Sequence, residues 1–128
     1  MSDVISLSVP AHEEFRHVAN LVLGGLGARL ALTYEHLDDL QTGVDAVLAR
    51  RDDDGEITVE IELSDDLVRS TVGPFPEGEL EDLAGDTPEL GLRRVLATVT
   101  DAFGVVQRDG ATFVVLTKRT EAIAEATG

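Results

Sequence analysis

The stretch DLQTGVDAVLARRDDDG, from Asp39 to Gly55, joins the second half of an amphipathic helix to two arginines, three aspartates and a glycine turn. It has the form of a helix that leads into a site. Its inner turns, however, carry Ala46, Val47, Leu48 and Ala49, which have no acid, base or ligand to offer. Two other groups have the residue types for chemistry. His12, His17 and His36 stand among many carboxylates, as metal ligands would, but none are paired as His-x₃-His. His12 and His17 are five apart and would not share a helix face, so they read as surface histidines. The Asp52-Asp53-Asp54-Gly55 turn imitates the start of a calcium loop. It lacks the alternating ligands and the later glutamate of such loops, and reads as a solvated turn.

The elements that must position these residues follow from periodicity. Ile5, Leu7 and Val9 alternate with serines in a short strand ended by Pro10. From about Ala11 to Arg29, Phe15, Val18, Ala19, Val22 and Leu26 recur at helical spacing; Gly24, Gly25 and Gly27 weaken the C-terminal half and mark close packing, a dimer contact or fraying, the dimer contact being the least expected. Thr33 is placed to cap a second helix with Glu35 in its first turn, and Leu37, Leu40, Val44, Val47 and Leu48 form its apolar stripe to about Arg50. Ile57, Val59, Ile61 and Leu63 alternate with Thr58, Glu60 and Glu62, and Ser64-Asp65-Asp66 turns that strand into a second one, Leu67 to Val72. Gly73 to Pro88 reads as irregular, with a short helical turn around Glu79 to Leu83. Thr87 and Pro88 open a further helix with Leu92, Val95, Leu96, Val99 and Phe103 on one stripe, stopped by Gly104. A last hairpin turns at Arg108-Asp109-Gly110, and a polar tail follows from Thr120.

Strands that arrive in antiparallel pairs argue for an α+β fold: a two-layer sandwich with a mixed or antiparallel sheet of about five strands and three helices on one face. Residues 1–119 read as one domain and 120–128 as a tail. The formal charge of −15 would repel phosphate backbones, and the pairs Arg50-Arg51, Arg93-Arg94 and Lys118-Arg119 are scattered among acids, so no nucleic-acid partner is expected. With no membrane-length apolar run, no basic start before an apolar stretch and no cysteine, the sequence leads us to expect a cytoplasmic protein with no membrane contact, no disulfide and no thiolate metal site.

Order and wording together resemble the anti-sigma-factor serine kinases, small bacterial members of the Bergerat (GHKL) ATPase superfamily. The resemblance runs from Leu7 to Arg119. It is carried by SLSVPAHEEFRHVANLV, LTYEHLDDLQTGVDAV, GEITVEIELSDDLV and ELGLRRVLATVTDAF…DGATFVVLTKR. The resemblance implies a second helix with a glutamate as general base and, four residues on, an asparagine that holds Mg²⁺. Aligned without gaps, Ala46 stands at the base and Arg50 at the metal ligand. Alanine accepts no proton and arginine offers a cation no acceptor. Asp45, one residue away, points about 100° around the helix; sliding the alignment by one sets it at the base but puts Ala49 at the metal position, so either register loses the magnesium ligand. The family's adenine-reading Asp-x-Gly-x-Gly box falls on LVRSTVGPFPEG, where Gly73 survives and Thr71 is nearest the missing aspartate. Its phosphate-binding Gly-x-Gly-Leu entry reads Glu89-Leu90-Gly91-Leu92. Arg50, Thr71, Gly73, Glu89 and Gly91 are therefore remnant positions of a nucleotide site.

The expectation is a catalytically inactive kinase-like domain that acts by protein–protein binding in transcriptional partner switching, without cofactor. The resemblance implies a sigma factor or an anti-sigma antagonist as partner, and a homodimer. The surfaces expected to bind lie on the first helix (Phe15, Val22, Arg29) and the acidic loop (Glu77, Glu79, Glu81). The alternatives are an active serine kinase or ATPase using ATP and Mg²⁺, with Asp45 as base and Arg50 or Arg93 on phosphate, and a dimeric scaffold or ligand module on the same fold.

Overall fold

A computed structural model describes residues 3–29, 33–51, 53–64, 67–76 and 92–119. Strand β1 (Asp3–Pro10) lies beside β2 (Glu56–Leu63), which pairs with β3 (Leu67–Phe75). Strand β4 (Ala102–Arg108) and β5 (Ala111–Arg119) form the closing hairpin, and β5 inserts against β3. The sheet order is β1-β2-β3-β5-β4, and every pair is antiparallel. One 3₁₀ turn (Glu13–Phe15) leads into α1 (Arg16–Arg29); α2 (Tyr34–Leu48) and α3 (Leu92–Val99) complete the α+β layer.

Alternation sorts the two faces of the sheet. Ile57, Val59 and Ile61 of β2 register with Val9, Leu7 and Ile5 of β1, while Val72 of β3 opposes Val59 on one side and Val114 on the other. Apart from Ile5, these side chains share a core with Ala19 and Leu23 of α1, Leu40, Val44 and Val47 of α2, and Leu96 of α3. Thr33 caps α2 as its sequence requires, its hydroxyl accepting from the His36 N–H at 3.1 Å. Asp109 and Gly110 both have positive φ, 54° and 82°, which is the two-residue hairpin turn that an Asp-Gly pair favours. The Lys118 ammonium, 15% exposed, meets Asp39 of α2 at 2.8 Å and fastens the middle helix to β5.

Several boundaries differ from the sequence reading: α1 begins at Arg16, α2 ends at Leu48, and two others move further. Helix α3 stops at Val99, and Phe103 and Gly104 lie in β4, not at a helix end. The Thr100 hydroxyl donates to Leu96 O at 2.6 Å, and the Asp101 N–H turns away to Thr117 O at 2.9 Å. Phe103 fits a helical stripe by spacing, but as the register partner of Leu116 it reaches the same core from the sheet. Strand β3 likewise continues through Gly73-Pro74 to Phe75, because a register shift between Val72 and Phe75 accommodates the proline. The helical turn expected near Glu79 to Leu83, the Thr87-Pro88 helix start and the tail from Thr120 lie outside the described residues.

Ser70 sits fully buried on the helix-facing side of β3, opposite Ile61 and Leu116, and its hydroxyl has no hydrogen-bond partner among the described residues. An unsatisfied buried hydroxyl costs about 1–3 kcal/mol, and alanine keeps nearly the same shape without it. Ser70→Ala is expected to stabilise the fold by about 1 kcal/mol. A lower urea midpoint for the variant would contradict this.

Candidate functional site

The candidate site is built from the inner turns of α2 and the middle of α1. Both helices bury one stripe in the core, which sets their facing sides against each other. Asn20 from α1 and Gln41, Thr42, Asp45 and Ala46 from α2 line a cavity of about 390 Å³. The Gln41 amide donates to the Asn20 backbone carbonyl at 2.8 Å, and the Asn20 amide donates to Asp45 Oδ1 at 3.4 Å. Asn20 Oδ1 is buried with no partner among the described residues. Ala46 contributes a methyl group to this wall and packs against the core. No cationic side chain lies on the described lining.

Helix α2 ends at Leu48, with Ala49 as its C-cap. Arg50 is on the turn that follows, its N–H bonded to Val47 O.

Arg51, which the sequence reading passed over, forms a clip. Its side chain is 10% exposed. Nη1 donates to Glu56 O at 2.9 Å and Pro74 O at 2.8 Å, while Nε and Nη2 grip Asp53 at 3.0 and 2.6 Å. Asp53 Oδ1 also accepts the Gly55 N–H at 2.7 Å. The Asp53 N–H donates to Ala11 O and the Ala11 N–H to Gly55 O, which ties the turn to the end of β1. The hydrogen bonds from Arg51, and then that from Gly55, hold the Asp53 carboxyl below the usual carboxylate range. The turn read as merely solvated is thus a joint between α2, β1 and β3. An aspartate two residues after an arginine was the only sequence signal of it.

The other expected site residues are dispersed. Thr71 is buried on the sheet face opposite the helices, registered with Glu60 and Val115. Gly73 lies under the Phe113 ring, where an added Cβ would come within 2.5 Å of the ring. Arg93 lines a separate cavity of about 400 Å³ with Thr100, Asp101 and Phe103, its guanidinium 5.9 Å from the Phe103 ring centre. Phe15 packs against the core and Val22 is half-buried, while Leu21 is the outward apolar residue of α1 at 70% exposure. Glu77, Glu79, Glu81, Glu89 and Gly91 lie outside the described residues, as does the Arg29 side chain. Among the described residues no three His, Asp or Glu side chains converge on a metal position, and no helix is long and apolar enough to cross a membrane.

No protein-family model matches the chain. Among curated proteins it is 32% identical over 98 residues to the serine-protein kinase RsbW of Listeria monocytogenes, covering 71% of this chain and 61% of that one. It is 31% identical over 98 residues to RsbW of Listeria innocua, and 26% identical over 97 residues to RsbW of Bacillus subtilis. The chain is a relative of the anti-sigma-factor serine kinases. It spans about three fifths of the length of these RsbW proteins. The RsbW relationship and the five-stranded α+β sandwich support each other, since the matched stretch amounts to most of this domain. Ala46, which the sequence reading sets at the family's base position, lies on α2, and that helix ends before residue 50.

Proposed function

We propose that this protein is a regulatory, anti-sigma-like domain that acts by binding protein partners and has given up phosphoryl transfer. What supports this reading is Ala46, a methyl group packed on the core, on the helix where the resemblance sets the general base. A methyl cannot take a proton from a serine hydroxyl or a water. Arg50, beyond the helix end, supplies no ligand for Mg²⁺. The partner would be a sigma factor or an antagonist of anti-sigma factors, as the kinship with RsbW proteins suggests, and the net charge of −15 favours a basic surface on it.

The test is calorimetric titration with ATP and ADP, with and without Mg²⁺. No heat of binding is expected up to millimolar nucleotide, whereas binding strengthened by Mg²⁺ would overturn the proposal. One observation favours the kinase reading. Asp45 carries its carboxylate into the cavity that Ala46 lines, so a shifted base is available there. Phosphate transfer to a protein substrate that Asp45→Ala abolishes would establish that reading instead.

A further inference from the structure

The cavity between α1 and α2 has a composition of its own. Its described lining combines two amides, a hydroxyl, a carboxylate and a methyl group, and no positive charge. Each of the two amides already makes one hydrogen bond as a donor. Gln41 Nε2 donates to the Asn20 carbonyl and Asn20 Nδ2 to Asp45, and each amide keeps a second N–H as well as its oxygen. Asn20 Oδ1 is buried without a partner among the described residues. Asp45 adds a formal negative charge, and its bond from Asn20 is long at 3.4 Å. One carboxylate among neutral polar groups, with no positive charge on the described lining, favours a positively charged donor. It selects against phosphates and carboxylates.

We infer that this cavity is a socket for a guanidinium-bearing side chain, an arginine presented by a basic partner. A guanidinium has five donors in a planar fork and no acceptor, which suits Asp45, Asn20, Gln41 and Thr42 arranged around one space. Ala46 matters because it is small. The methyl leaves room beside Asp45 that a longer side chain would occupy. That the arginine belongs to a protein partner rests on the binding role proposed above, whereas the socket itself does not.

The experiment is a titration of the ¹⁵N-labelled full chain with N-acetyl-L-argininamide, followed through the side-chain amide signals of Asn20 and Gln41. N-acetyl-L-citrullinamide, a neutral isostere, is the control, and ADP is titrated in parallel. Saturating shifts with the arginine probe are expected, with affinity at least about tenfold lower for the citrulline probe and for Asp45→Asn. Ala46→Leu, which fills the cavity without touching the charge, is expected to abolish the shifts while the rest of the spectrum stays dispersed. Equal shifts with the citrulline probe, no saturation at these two amides, or shifts that persist in Ala46→Leu would overturn the socket. So would ADP producing the same saturating shifts. A failure to capture any sigma-like partner would bear on the proposed function alone.

Discussion

Leu96→Ala is expected to lower the unfolding free energy by about 2–5 kcal/mol, the range for a leucine removed from a close-packed core. Leu96 is fully buried and is the residue of α3 that enters the common core with the sheet and α2. Its surroundings determine how much of the cavity can collapse. Gly43 brings the α2 backbone so close that an added Cβ would lie 3.4 Å from both Leu116 and Val99, and 3.7 Å from Leu96. Gly43→Val in the parent protein should therefore overpack the junction and cost about 1–3 kcal/mol. In the Leu96→Ala background part of that volume has been vacated. The double variant should then lose less than the sum of the two single losses, by at least about 0.5 kcal/mol in a double-mutant cycle. Strict additivity in urea unfolding would mean that Gly43 and Leu96 do not share this space.

Arg51→Met should cost about 2–3 kcal/mol, because it removes four charge-assisted hydrogen bonds and leaves the Glu56 and Pro74 carbonyls without their donor. Arg51→Lys should recover only part of the loss, since a single ammonium cannot span the fork that Arg51 uses to join Asp53 to β3. The pH dependence gives an independent check. The Asp53 carboxyl titrates lower in the folded chain than in the unfolded one, so its contribution is present above an ordinary aspartate pKa. It is lost as the pH falls through the folded value. In Arg51→Met the Asp53 carboxyl should titrate nearer its ordinary value, and stability should fall less between neutral pH and about pH 3. A variant with the parental urea midpoint and acid profile would show that the clip carries no weight in solution.

Several pieces of this molecule were legible in the chain itself because they depend on neighbours within a few residues. Alternation of Ile57, Val59 and Ile61 with polar residues dictated β2, the Thr33 hydroxyl dictated the start of α2, and Asp109-Gly110 dictated the last turn. The antiparallel α+β order follows from those units, and so does the kinship with serine kinases that the relatives bear out. The identity of residue 46 as alanine is likewise a matter of sequence alone.

Other features depended on segments distant in sequence being packed together. Phe103 satisfies a helical stripe and a strand alternation equally well, and only the pairing with Leu116 decides between them. Arg51 finds its acceptor on Pro74, 23 residues away, and Gln41 finds the Asn20 carbonyl 21 residues away. Neither partner can be read from a local pattern, because each bond exists only once two apolar stripes have brought their elements together. The same is true of the cavity beside Ala46. Local sequence determined which backbone shapes form; burial of the shared core determined which polar groups ended up facing one another.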